Sequence, residues 1–418
     1  MAWRSREWGD LAVWLILIAP FLLVAHLLND LHTSILTFHG TDEGIFHFPA
    51  ILRFAAQLPT PQLGNYSSAT TPLFHLVFSV IGELIGFDLY KLRAFNALFS
   101  FLATWVYYRI WTEQFEMDRR SALLITMLFL ISPYFFGVSF ILLTDNLAWL
   151  FCLLTIYNLL AGVRTGSMRS WCMASLCLCL ALLTRQTLSW LMLGAVPMVL
   201  FHFQKTSDRV MRVGLLGLAC LPLAVLIFKW HGLVPPSFQT AHEAHAFLNL
   251  QAIEFVLAVT GLYFPLLQSR QFLGLVRHPD RMTIGALLAG LSLLVILPVG
   301  QLAFNDGFIW RISRSMPYVH DSSLIFWGLV PIGMLGVVHM LRRTPTGLGI
   351  WMLLAFTVSM LPSSVLFQKY FDPFIPVFIL LAGENRRQLA PGESGIVIAL
   401  ILGFIAYALL PYGMAHSA

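Results

Sequence analysis

Leu11–Leu28 reads LAVWLILIAPFLLVAHLL, a stretch with no Asp, Glu, Lys or Arg. An apolar run of this length crosses a hydrocarbon core as a helix. Arg4 and Arg6 precede it in the manner of a secretory signal. No small-x-small cleavage site follows, so the run reads as an uncleaved first span. Comparable runs recur along the chain, at 94–112, 121–141, 146–163, 171–184, 187–203, 213–229, 249–268, 283–304, 323–341, 348–362, 368–383 and 395–411. With the first, these make about thirteen crossings by hydropathy.

Composition agrees. Of 418 residues, 58% are hydrophobic and 11% charged, and the mean hydropathy is +0.79. A soluble domain carries roughly 25% charged residues, so this chain lacks the polar surface to face water all round. The expected fold class is an all-α polytopic membrane protein embedded in a lipid bilayer. The formal net charge of +5 comes from basic residues scattered through short loops, which argues against nucleic acid as a partner. The five cysteines, Cys152, Cys172, Cys177, Cys179 and Cys220, all fall within apolar runs. They read as membrane-buried side chains rather than disulfides or metal ligands.

Basic residues orient the chain. With the N-terminus cytoplasmic, the greater part of the 25 Lys and Arg residues falls on the inner side, as the positive-inside rule requires. Leu73–Ile85 is then best read as a juxtamembrane or re-entrant helix, because a crossing there would reverse the later loops. The whole chain, 1–418, is expected to form a single integral membrane domain. Its richest outer segments are 29–93, a first outer loop with juxtamembrane helices, and 305–322.

The candidate chemistry gathers in these segments. Asp42-Glu43-Gly44-Ile45-Phe46-His47 places an acidic pair just beyond the first span, where carboxylates should line a wet cavity. On a helix, Glu43 and His47 share a face at i, i+4. Asp42 would then sit near the N-cap, so it reads either as a cap or as a base that deprotonates an acceptor hydroxyl. Asp145, in the tight turn Thr144-Asp145-Asn146, either caps the next helix or supplies a second carboxylate. Arg185, in Thr184-Arg185-Gln186-Thr187, either snorkels to the interface or offers a fork suited to phosphate. Arg311 and Arg314, at i, i+3 within 305–322, read as an anion grip or as a solvated loop. His320 and Asp321 follow them, and Lys369 adds a cation at the start of a later run. The group His231, His242, Glu243 and His245 matches no standard metal-site spacing. Asn65-Tyr66-Ser67 is a glycosylation sequon, a pattern too common to carry weight.

These residues resemble a family. The acidic pair after the first span, the later Asp145 and the many-spanning body look like the GT-C glycosyltransferases, which take sugars from polyprenyl phosphates. Three stretches look most similar to the dolichyl-phosphate-glucose alpha-1,2-glucosyltransferases of N-glycan precursor assembly. They are Asp42-Glu43-Gly44-Ile45-Phe46-His47-Phe48-Pro49, Ala69-Thr70-Thr71-Pro72-Leu73-Phe74-His75 and Thr184-Arg185-Gln186-Thr187. Gly44 stands as an apparent insertion, and only one proline follows Thr70-Thr71. The C-terminal half matches loosely, and the compact loops suggest a prokaryotic relative.

The resemblance implies inverting transfer of a hexose at the outer or lumenal face, to a lipid-linked or membrane-proximal glycan. The membrane would be the plasma membrane of a prokaryote or the endoplasmic reticulum of a eukaryote. Asp42 would act as general base, with Glu43 as the substitute. His47 and Asp145 would orient the sugar or Asp42. Arg185, Gln186, Arg311, Arg314, His320, Asp321 and Lys369 would bind substrate, the cations facing the leaving lipid phosphate. Some relatives in the wider group use a divalent ion, for which this chain shows no decisive ligand set. The alternative is a multi-span transporter or lipid flippase. No internal repeat supports it, and most charges gather at one face; Glu254, inside a span but nearer its outer end, is the exception.

Overall fold

A computed structural model of the chain describes residues 2–27, 42–242, 248–300, 306–345, 347–363, 366–383 and 387–415. Their regular structure is almost wholly helical, as an all-α polytopic membrane protein requires. The start of the first expected outer segment up to Thr41, and Glu243, His245 and Asn305, lie outside them.

The opening apolar run lies in α1 (Ala2–Leu27). After a π-helical turn over Glu43–His47 come α2 (Phe48–Ala55) and α3 (Leu73–Ile85). The next helices are α4 (Leu89–Arg109), α5 (Arg119–Leu130), α6 (Asp145–Thr165) and α7 (Met168–Thr184). They are followed by α8 (Trp190–His202) and α9 (Thr206–Trp230). Then come α10 (Gln251–Leu267), α11 (Ser269–Arg277), α12 (Arg281–Ile296) and α13 (Phe308–Ser315). The series closes with α14 (Leu324–Arg343), α15 (Leu348–Met360), α16 (Phe374–Leu381) and α17 (Pro391–Ala415).

Most expected crossings coincide with a helix, and several are shorter than hydropathy suggested, 283–304 ending its helix at Ile296. The run 121–141 is broken after Leu130 of α5 and resumes only as a single helical turn, Pro133–Phe136, because Pro133 disfavours helical geometry at the residue before it. The run 368–383 becomes a 3₁₀ turn, Gln368–Tyr370, followed by α16. Among the described residues α6, α9 and α14 are each long and apolar enough to span a bilayer. The pair α10 and α11 also qualifies when taken together, but it bends by 97°.

The chain clusters into two compact units. The first comprises Met1–Leu188, Gly214–Ala241 and Ile401–Ala418, and the second Ser189–Val213 and His242–Leu400. In the first, α1 packs on α4 through Trp14 and Phe21 against Phe101. The loop between α2 and α3 is held by Trp230 of α9, whose indole N–H donates to the Leu63 carbonyl at 2.8 Å. Phe54, Tyr66, Leu226 and Trp230 form the core beneath that loop.

In the second unit α10 and α14 run parallel with their backbones in contact. A Cβ on Gly261 would lie 1.9 Å from the Leu329 carbonyl oxygen, and one on Gly333 would lie 1.9 Å from that of Leu257. Lipid tails are as apolar as the helix surfaces, so close backbone approach through small residues, not burial from water, holds such a pair together.

Candidate active site

The acidic stretch is built as a π-turn. The Phe48 amide donates to the Glu43 carbonyl, one residue further than in an α-helix. A single extra residue in a helix produces such a turn, and Gly44 occupies the position that reads as an insertion. Glu43 and His47 nevertheless share the inward face, both buried, while Gly44 and Ile45 are exposed. Asp42 occupies the N-cap position with helical dihedrals and makes no side-chain capping bond, so the capping role is not taken up.

Glu43 is fully engaged. Its Oε1 accepts from Nε of Arg93 at 3.0 Å and from the Leu142 amide at 2.8 Å, and its Oε2 accepts from the other fork nitrogen of Arg93. Both side chains are only 3% exposed. A bidentate, charge-assisted pair of this kind is directional as well as strong. It fastens the π-turn to α4 and to the segment that leads into α6.

That segment, Gly137 to Thr144, is cradled by amides. Asn96 of α4 donates to the Ile141 carbonyl, and Asn146 donates to that of Val138 at 3.1 Å. The cradle delivers Asp145 to the first turn of α6, where it pairs with Arg185 just beyond α7. Gln186 donates to the Ala69 carbonyl at 2.7 Å, and its own side-chain oxygen is buried without a hydrogen-bond partner. Thr71 completes the tie, donating to the Leu182 carbonyl at 2.8 Å.

His47 meets a second imidazole. Its Nδ1 lies 3.0 Å from Nε2 of His75 in α3, with the two rings stacked. Burial and, after it, the charge of His47 push the His75 imidazole well below its ordinary range.

The second unit holds the other candidates. Arg311 and Arg314 lie on the short helix α13 and both turn toward Asp306, at 3.3 and 3.7 Å. Burial pushes the Asp306 carboxyl up, but the Gly307 amide and then the two guanidiniums outweigh it and hold the group below its usual range. The Gln368 amide donates to the Asp306 carbonyl at 2.8 Å, and its side-chain oxygen accepts from the Ile309 amide at 3.0 Å. Lys369 lies over the Phe367 and Tyr370 rings. His320 and Asp321 are the central pair of a tight hairpin, β1 (Tyr318–Val319) with β2 (Ser322–Ser323). Both have positive φ, as a type I′ turn requires. The His320 ring also donates to the Val295 carbonyl at 2.9 Å. Glu254 is wholly buried in α10, and neither carboxylate oxygen has a hydrogen-bond partner.

Sequence reading missed Arg93, Asn96, Asn146 and the partnership of His75. The available signal was polar side chains within otherwise apolar helices, which are expensive unless partnered. Among the described residues no three His, Cys, Asp or Glu side chains are arranged to hold a metal ion.

The partners of the acidic turn, Arg93 and Leu142, and the ties that converge on Ala69, Thr71, Asp145 and Arg185 lie in one continuous stretch. Residues 69–230 match the family of dolichyl-phosphate-mannose-protein mannosyltransferases. The match covers less than half of the chain and begins downstream of Asp42 and Glu43. It supports the GT-C superfamily and, in general terms, a membrane glycosyltransferase that draws on a polyprenyl-phosphate sugar. No curated protein and no solved structure matches the chain. For a glycosyltransferase of this kind the first unit offers two adjacent carboxylates, Glu43 buried and clasped by Arg93 and Asp42 half-buried at the N-cap of the turn.

Proposed function

We propose that the protein transfers a hexose, with inversion, from a polyprenyl-phosphate donor to a lipid-linked or membrane-proximal glycan at the outer face. Asp42 acts as general base, taking the proton of the acceptor hydroxyl as that oxygen attacks the anomeric carbon. The observation that carries this reading is the Glu43–Arg93 clasp. It commits Glu43 to holding the turn and sets Asp42, half-buried, directly beside that anchor, where the resemblance expects the base. Glu43 is thereby an anchor, and Asp42 is the base.

The leaving lipid phosphate gathers charge and needs fixed cations. The resemblance offers Arg311 and Arg314, with Lys369 as a further cation, as the candidates for that role. Arg185 serves the donor indirectly by holding Asp145. The short motifs favour a glucosyl donor, whereas the family match is named for a mannosyl donor, so both belong in the assay.

The test is transfer in liposomes from radiolabelled polyprenyl-phosphate glucose and mannose to a membrane-lipid extract, with wild type beside Asp42→Asn. Labelled product from wild type, reduced in the variant by the 10²- to 10⁴-fold typical of a lost general base, supports the proposal. Undiminished transfer by Asp42→Asn would sink the base assignment. Substrate crossing the liposome without turnover would favour the transporter reading.

A further inference from the structure

His47 and His75 are brought together by two elements, the π-turn and the first turn of α3. The imidazoles are stacked with centroids 5.3 Å apart and planes 23° apart, and Nδ1 of His47 faces Nε2 of His75 at 3.0 Å. His75 is 0% exposed. The rings of Phe54, Tyr66 and Phe74 enclose it at 6.2, 5.9 and 5.5 Å. Its second nitrogen, Nδ1, is buried and has no hydrogen-bond partner.

Two neutral imidazoles can share one proton across such a contact, and the nitrogen that carries it fixes the tautomer of both rings. If His47 were the donor, His75 would carry its own proton on Nδ1, an N–H sealed among aromatic rings without an acceptor. If His75 is the donor, its Nδ1 is a bare lone pair in the same place. Among buried polar groups an orphaned N–H is rarer than an under-used acceptor. The second arrangement is therefore the stable one. Burial and, after it, the charge of His47 also keep His75 from charging.

We infer that His75 is a positioning residue that donates from Nε2 to Nδ1 of His47, and so fixes the His47 proton on Nε2. His47 then meets a substrate oxygen as a hydrogen-bond donor and cannot serve as a base through Nδ1. The functional consequence rests on the proposed glycosyltransferase reading; the tautomer does not. Within that reading, a donor four residues beyond Glu43 grips a sugar or acceptor hydroxyl while Asp42 removes the proton that moves.

The experiment is magic-angle-spinning NMR of the full chain in liposomes, with ¹⁵N-labelled histidine rings. His47 and His75 are assigned by their loss in His47→Gln and His75→Gln. The expected result is a protonated Nε2 and a bare Nδ1 on both rings. A His47 protonated on Nδ1 would overturn the inference, and no turnover is needed to see it. A kinetic arm separates positioning from packing. His75→Gln retains an amide donor at the same reach and should keep kcat within about threefold of wild type. His75→Leu should lower kcat about 10- to 100-fold, the usual cost of removing an orienting partner, with KM little changed. Equal losses in both variants, or a loss in neither, would refute the orienting role. A wild type that binds and transfers no polyprenyl-phosphate sugar would instead remove the proposed function, leaving the tautomer to stand or fall on the spectra.

Discussion

Arg93 and Glu43 stand fifty residues apart and meet as a two-pronged ion pair from which water is almost wholly excluded. The same carboxylate accepts the Leu142 amide, so one side chain joins the π-turn, α4 and the approach to α6. Any geometry that Asp42 has toward a substrate is inherited from this joint.

Removing one partner of such a pair leaves the other buried and uncompensated, at a cost of about 3–5 kcal/mol. Arg93→Met should therefore lower the unfolding midpoint sharply and abolish transfer. The double variant Glu43→Leu with Arg93→Met should recover most of the stability but not the activity. Thermal unfolding in detergent reads the first effect, and the transfer assay reads the second. If the double variant were as unstable as Arg93→Met alone, the cost would not come from an uncompensated charge.

The trio of Asp306, Arg311 and Arg314 is exposed, so Asp306→Asn should change stability by no more than about 1 kcal/mol. Its effect should appear in donor KM, which should fall as two guanidiniums are released from an internal carboxylate. A carboxyl held below its usual range contributes order that is full above the unfolded value of about 3.9. That order is lost as pH falls further, through the folded value. Hydrogen exchange at residues 307–316 should thus be insensitive to titration of Asp306 between pH 5 and 8, and accelerate below about pH 4. Asp306→Asn should remove that acid dependence.

Glu254 is buried with both oxygens unpartnered, a state that costs roughly 1–3 kcal/mol for an unsatisfied polar group. Glu254→Leu should raise the melting temperature and leave transfer intact. A loss of transfer with the fold preserved would give this carboxylate a function that the proposed reaction does not use.

Gly307 holds φ at +135°, and a Cβ there would lie 2.2 Å from the Gln368 side chain. Gly307→Ala should cost about 1–3 kcal/mol in backbone strain alone, and should loosen the start of α13. Limited proteolysis at 306–316, compared with wild type, tests this directly.

The helical scaffold was legible because apolar runs record it residue by residue, and Leu73–Ile85 emerged with its predicted limits. The shared face of Glu43 and His47 was also legible, since i, i+4 neighbours stay together even on a π-turn. The pairings were not. Arg93 was not singled out in the sequence, because nothing local to Leu89–Arg109 points to a carboxylate near residue 43. Asp145 and Arg185 were each assigned a substrate role, and the fold joins them to one another. His320 and Asp321 were grouped with the cations by proximity in sequence, whereas their positive φ values make them the corner of a hairpin. Periodicity reports which face a residue occupies, and long-range partnership leaves no such trace.

The right-angle turn between α10 and α11 has a consequence for the lipid. Its corner, Gln268, is braced by a side-chain hydrogen bond to the Ile379 carbonyl at 2.8 Å. Beyond it α11 exposes Leu273 and Val276 together with Arg270 and Arg277, the make-up of a helix that rests along an interface. A straight span can meet a thicker bilayer by standing more upright and a thinner one by leaning. A span carrying a braced crossbar cannot lean without driving one end of the bar into hydrocarbon or lifting the other out of it. The seventeen residues of α10, about 25 Å of helix, therefore act as a fixed gauge, and it is the acyl chains around them that must stretch or compress.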